Sequence, residues 1–187
     1  MGAMKRNRHV PRSAVLALLC LAVVAAAFAE WMFAAPTTSD WAEKDRSFRK
    51  RVDAINLLTR ARLISVAELQ EKIKKGERVV ILDVREPKEM QVSALRGARL
   101  AVPDQIETMP LTKIPVDATV VTYCTVGGRS GHAAVLLERR LGRPVYNLDG
   151  GIVEWFNRGG EVVDPSGERV DRIDAWGEPW SSFVHPR

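Results

Sequence analysis

The chain has 187 residues, enough for one domain of ordinary size with appendages at its ends. Its net charge of +5 is concentrated near the start, where Lys5, Arg6, Arg8 and Arg12 precede an uncharged stretch over residues 13–29, so the remainder is close to neutral. No basic stripe with interleaved aromatics occurs in that remainder, which argues against nucleic acid as a partner.

The basic cluster flanks the apolar run Ala14–Ala29, the order of an export signal. Ala27-Phe28-Ala29 has the small-x-small pattern of a cleavage site and would leave Glu30 as the new N-terminus. The competing reading is an uncleaved anchor extended to Ala35, because Ala14–Ala29 falls short of the ~20 residues a bilayer span needs. In both readings the basic residues stay in the cytoplasm. We therefore expect residues 1–35 to be a signal peptide or membrane anchor. The protein is then exported: periplasmic, or on the extracytoplasmic face of the membrane.

Pro36-Thr37-Thr38-Ser39-Asp40 is a breaker cluster, and Phe48, Val52 and Ile55 then recur at helical spacing. Residues 36–60 are expected to be a helical stalk or linker whose apolar side packs on the domain. The domain is assigned to residues 61–163. Ser65-Val66-Ala67-Glu68 is a capping-box pattern ahead of a helix stopped by Gly76. Val79–Asp83 reads as a strand, and Pro87 suits the first turn of a short helix opened by Glu86. Arg99–Val102 reads as a short strand, with a brief helix capped by Asp104 after it. Thr119–Tyr123 is the next strand, followed by a helix that runs to Leu141 and ends at Gly142. Val145–Leu148 is another strand, and Gly150-Gly151 turns into a last helix that Gly159-Gly160 stops. In the tail, residues 164–187, Ile173, Trp176, Trp180 and Phe183 fall on one helical face, and we expect the tail to wrap the domain.

Strands alternating with helices predict an α/β fold, a parallel sheet flanked by helices on both faces and preceded by the N-terminal hydrophobic segment. Ligands of such sheets bind beyond the carboxyl ends of the strands. Asp83 and Cys124 both stand at such ends. Cys124 opens a glycine-containing loop that runs into a helix N-terminus, where backbone N–H groups and the helix dipole favour an anion. A thiol there is expected to have a lowered pKa and to be an exposed, reactive thiolate. The other cysteine, Cys20, lies in the apolar N-terminal run. The mature chain then holds no partner for an internal disulfide. His9, His132 and His185 are too scattered for a metal site.

Three motifs, Leu82-Asp83-Val84-Arg85-Glu86, Cys124-Thr125-Val126-Gly127-Gly128-Arg129-Ser130 and Asn147-Leu148-Asp149-Gly150-Gly151-Ile152-Val153-Glu154-Trp155, resemble in order and spacing those of a single-domain rhodanese. The resemblance spans residues 63–163 and implies a rhodanese-like fold and a sulfurtransferase. By that resemblance, sulfane sulfur passes from a donor such as thiosulfate or a persulfide to Cys124, and then to a thiol or cyanide. It further implies a substrate cradle of Thr125, Val126, Gly127, Gly128, Arg129 and Ser130, with supporting parts for Asp83 and Arg85. No metal or organic cofactor is implied. The partners are a small-molecule sulfur donor and a thiol acceptor, with a protein acceptor as a further option. The membrane is a partner if the N-terminal segment stays uncleaved. Glycines permit the unusual backbone angles of a cradle, and Arg129 is expected to hold the donor's oxyanion.

The six-residue loop Cys124–Arg129 matches the length the family uses for sulfur, whereas related phosphatases and arsenate reductases carry one more residue. Two alternatives remain beside the enzyme: a non-catalytic binding or sensing module, and a phosphatase or arsenate reductase. Many family members have a basic residue after the cysteine where this chain has Thr125, and Ser93–Ala98 departs from the family's usual Gly-His-Ile-Pro-Gly-Ala.

Overall fold

The computed structural model describes residues 38–178 and 180–187. The expected signal or anchor at 1–35 and Cys20 lie outside the described residues. Lys44–Arg187 form one compact unit, and of the unit before it, Met1–Glu43, the start of the first helix is described. No helix among the described residues is long and apolar enough to cross a membrane.

Helix α1 (Thr38–Thr59) is followed by strand β1 (Arg62–Ile64) and helix α2 (Val66–Lys74). Ser65 caps α2 as expected: its hydroxyl accepts from the Glu68 N–H, and the Glu68 carboxylate accepts from the Ser65 N–H at 2.8 Å. Strand β2 (Val79–Asp83), helix α3 (Pro87–Val92) and two short strands, β3 (Ala94–Leu95) and β4 (Arg99–Leu100), come next. Then follow β5 (Thr119–Tyr123), α4 (Gly128–Leu141), β6 (Val145–Leu148) and α5 (Gly151–Asn157). Gly142 ends α4 with φ +65°, its N–H bonded to the Glu138 carbonyl. Strands β7 (Val162–Val163) and β8 (Arg169–Val170) complete the set.

Five strands form one parallel sheet in the order β1-β6-β5-β2-β4. Alternation along the strands sends side chains to two apolar layers. Ile81, Val121, Tyr123 and Leu148 pack on one face with Leu69, Ile152, Trp155 and Phe156. Val80, Leu82, Val120 and Val145 pack on the other with Ala133, Ala134 and Leu137 of α4. The α/β architecture expected from the sequence is thus the one observed.

Several elements differ from the sequence expectations. β1 is a three-residue edge strand with two exposed residues, too short and too open to show a pattern. The strand expected over Arg99–Val102 stops at Leu100, and the brief helix after it is a 3-10 turn, Pro103–Gln105. An antiparallel sheet, β3-β7-β8, ties the segment after α3 to the segments after α5. Its strands of two residues each leave no periodic trace in the sequence.

The tail forms no helix through Trp176, where the backbone turns left-handed at φ +59° with Gly177 following at +69°. A 3-10 turn over Ser181–Phe183 is what remains. The tail nevertheless wraps the domain. Phe183 is buried against Phe48, ring centroids 5.6 Å apart, and the Asn157 side chain donates to the Phe183 carbonyl at 2.8 Å. Phe48 and Val52 of α1 are fully buried beside Val126, Val153, Ala175 and Phe183. From Lys44 onward α1 therefore belongs to the domain's core. Phe48→Ala should lower the unfolding free energy by about 3–5 kcal/mol in urea titration, whereas a detached stalk would leave the midpoint unmoved.

Candidate active site

Cys124 follows the last residue of β5, at the centre of the sheet, and Tyr123 before it lies in register with Asp83 at the end of β2. The loop turns because three of its carbonyls, those of Cys124, Thr125 and Gly127, are claimed elsewhere. The Cys124 carbonyl accepts from the Ile152 N–H at 2.9 Å, and the Thr125 carbonyl from the Val153 N–H at 3.2 Å, both at the start of α5. The Gly127 carbonyl accepts from the Asn147 side-chain amide at 3.0 Å and from the Gly131 N–H at 2.9 Å. With these oxygens facing outward, an N–H is left to face the sulfur: Gly127 donates to Cys124 Sγ at 3.2 Å. The first N–H groups of the 14-residue helix α4 follow, without acceptors inside the helix. They add the positive end of its dipole.

Two glycines are required for this path. Gly127 has φ +108°, and Gly151 has φ +58°. A Cβ on Gly151 would lie 2.4 Å from the Cys124 carbonyl oxygen. That close approach explains in physical terms why the motif at 150–151 carries a glycine pair.

The side chains of the loop divide into three sets. Val126 turns away into the apolar cluster of Phe48, Val52 and Phe183. Ser130 is buried and donates to Asn147 Oδ1 at 2.6 Å. The residue capping α4 is Gly127. Gly128 opens α4 in contact range of Ile55 on α1. Thr125 and Arg129 form the third set with Glu89, a fully buried carboxylate on α3. Arg129 makes a two-armed contact with Glu89 at 2.7 and 2.8 Å and donates to Thr125 Oγ1 at 2.9 Å. Thr125 in turn donates to Glu89 Oε1 at 3.2 Å. The ring of Trp176 lies 5.4 Å from the guanidinium carbon.

Burial alone would lower the basicity of Arg129, but its bond to Glu89 and the charge of the Cys124 sulfur raise it. Burial would likewise raise the Glu89 pKa, and the Arg129 and Glu86 hydrogen bonds hold it below the ordinary carboxylate range. The oxyanion-binding part expected for Arg129 thus meets a guanidinium whose fork is already taken by a carboxylate. The expected open thiolate differs too: Cys124 is 2 % exposed, because α1 and the tail cover the loop's flank through Val126.

Asp83 and Arg85, both fully buried, pair at 2.7 Å. The Tyr123 hydroxyl donates to Asp83 at 2.5 Å and accepts from the Leu95 N–H, and Arg85 donates to the Ser93 carbonyl at 2.6 Å. Burial and the Asp83 charge keep the Tyr123 proton in place. Arg85 stays charged against the cost of burial through its bond to Asp83. The pair fastens the loop after β2 to the segment entering β3 beside the cysteine. His132 is exposed on α4.

Sequence reasoning gave no part at the site to Glu89, Asn147, Asp149 or Trp176. Glu89 stands three residues after Glu86 and bonds its N–H at 2.9 Å, a capping spacing that was legible. Asp149 binds Arg49 through both oxygens at 2.8 Å and Asn56 at 2.8 Å, joining α1 to the turn before α5. A link across 100 residues leaves no local signal.

Comparison with known proteins agrees with this geometry. The family model described as a rhodanese-like domain matches residues 65–158. A sulfurtransferase of Allochromatium vinosum is 35% identical over 105 residues, covering 56% of this chain and 96% of that protein. A tRNA uridine(34) hydroxylase of Xanthomonas axonopodis is 33% identical over 129 residues, with 63% of this chain and 52% of that protein covered. Among solved structures, a thiosulfate sulfurtransferase of Pseudomonas aeruginosa shares the fold at TM-score 0.53 and 18% identity, over 73% of this chain and 26% of that one. The three motifs, the parallel sheet with its cysteine loop and the match over residues 65–158 together place the chain in the rhodanese-like family, whose members include sulfurtransferases.

Proposed function

We propose that the protein moves sulfane sulfur through a persulfide on Cys124. The observation that carries this reading is the loop's polarity: the carbonyls of Cys124, Thr125 and Gly127 are bonded away, and the Gly127 N–H donates to the sulfur at 3.2 Å. Such a cradle can surround the terminal sulfur of a persulfide with backbone N–H groups. In the first half-reaction the thiolate attacks the donor's outer sulfur, and the donor's S–S bond breaks with the electron pair leaving on its remainder. In the second, a thiol or cyanide takes the outer sulfur and returns the Cys124 thiolate. No electrons are gained or lost overall.

The phosphatase alternative asks for a loop one residue longer, whose arginine would fall at position 130, and that residue is Ser130, buried and bonded to Asn147. A binding module needs no such cradle for a sulfur anion. The basic cluster and apolar run at the N-terminus support placing the activity outside the cytoplasm, by cleavage or by anchoring.

Incubation with a sulfane sulfur donor should add one sulfur atom to the intact mass of the protein, removable by cyanide. Cys124→Ser should show no gain. A folded wild-type protein that gains nothing from thiosulfate or from a persulfide would sink the proposal. Gly151→Ala keeps the nucleophile but pushes on the Cys124 carbonyl. It should slow persulfide formation by at least about tenfold and cost about 1–2 kcal/mol of stability from its left-handed angle alone, read by stopped-flow and urea unfolding. An unchanged rate would mean that the loop path does not govern the chemistry.

A further inference from the structure

A second concavity lies away from the cysteine loop. In β2, Val79 is in register with Thr119 and Asp83 with Tyr123, so Val79 stands at the end of the sheet opposite Cys124. There α2 and the segments 95–97 and 159–161 border a groove of about 470 Å³. Its floor is apolar. Ile81, Leu95 and Trp155 are buried beneath it, and Ile73 and Val79 stand partly open at its side. That volume and lining suit a small organic molecule. None of its side chains takes part in the cysteine site.

The floor is held in one shape. The Trp155 indole N–H donates to the Glu161 carbonyl at 2.8 Å, and Gly160 lies so close to the ring that a Cβ there would fall 2.4 Å from it. A preorganised wall lowers the cost of binding. Gly97 and Gly159 border the groove without side chains, and nothing stands within 4 Å of where a Cβ on either would be. The rim is open at both points.

The charges around the groove leave one cation over. Glu77 is paired with Lys72 at 2.7 Å, and Arg96 with Glu161. Lys74 makes no ion pair or hydrogen bond among the described residues, and neither does the Gln70 side chain one helical turn before it. Residues four apart share a helix face, so both stand on the same side of the groove. Closing α2 does not require the lysine. The Glu71, Lys72 and Ile73 carbonyls already accept from the N–H groups of Lys75, Glu77 and Gly76, each at 3.0 Å. An ammonium and an amide without partners, beside an apolar floor, complement a carboxylate that carries an apolar body. We infer that this groove is a binding site for a small amphipathic carboxylate, its charged end held by Lys74 and Gln70 and its body over Ile81, Leu95 and Trp155. The site is separate from the sulfur chemistry and does not rest on it.

The test titrates the full chain with octanoate and follows the indole N–H signal of Trp155 by NMR. Octanoate should shift that signal saturably, with a Kd of about 1 mM or tighter. Octanol carries the same chain without the charge and serves as the comparison. Lys74→Gln, at an exposed position that does not endanger folding, should weaken octanoate by about threefold or more and leave octanol unchanged. Octylammonium, which meets Lys74 as a like charge, should bind more weakly than octanoate. Absence of a saturable shift with octanoate overturns the inference. So does a Lys74→Gln variant that moves octanoate and octanol alike, or neither, since the apolar floor alone would then account for the binding. An octylammonium affinity equal to that of octanoate has the same consequence. None of these results bears on persulfide formation at Cys124, so the two proposals stand or fall separately.

Discussion

Everything at the cysteine depends on where the carbonyls of residues 124 and 125 go. A loop can surround an anion with N–H groups only if its oxygens are bonded on the far side, and the start of α5 provides that bonding through Ile152 and Val153. The arrangement is demanding. The chain must reach α5 through two left-handed glycines, and the second must lie against the cysteine's own carbonyl without a side chain. Asn147, at the end region of β6, completes the set by holding the Gly127 carbonyl with its amide and the Ser130 hydroxyl with its oxygen. A single strand-loop-helix unit cannot make this cradle alone. It takes the neighbouring strand and the next helix, which is why the parallel sheet with its fixed order is a condition of the chemistry.

Around that cradle the charges close on themselves. Buried ion pairs contribute little net stability, because desolvation offsets their attraction, yet removing one partner leaves an uncompensated charge at a cost of about 3–5 kcal/mol. Asp83 with Arg85 fits that description: both are fully buried, and Tyr123 and Ser93 supply further hydrogen bonds. The pair gives the loop after β2 and the segment entering β3 one arrangement. Arg129 with Glu89 differs in being a quarter exposed on the arginine side, so it shapes the electrostatics of the mouth as well as the packing beneath it.

The two extensions outside the family match, before residue 65 and after residue 158, converge on the same flank. Phe48 and Val52 from α1 and Ala175 and Phe183 from the tail bury Val126 of the loop. Arg49 and Asn56 bind Asp149 just before the glycine pair. These segments act on the site by packing and hydrogen bonding rather than by supplying a nucleophile. Their effect is to sink the thiol below the surface and to narrow its approach.

The sequence by itself determined the alternation of strands and helices, the cap at Ser65 and the stop at Gly142. It also placed Asp83 and Cys124 at the carboxyl ends of two strands. Each of these rests on local chemistry: apolar runs, a hydroxyl three residues before a carboxylate, a glycine able to take a positive φ. The order and glycines of the 124–130 and 147–155 motifs were legible for the same reason. Only the tertiary structure decided that Arg129 faces Glu89, that Ser130 serves Asn147, and that Trp176 lies over the guanidinium. It also settled that the tail wraps without a helix through Trp176, and how deeply the apolar side of α1 enters the core. Those outcomes depend on which groups meet across 17 to 140 residues of chain. There burial and charge pairing choose among partners that local propensity leaves equivalent.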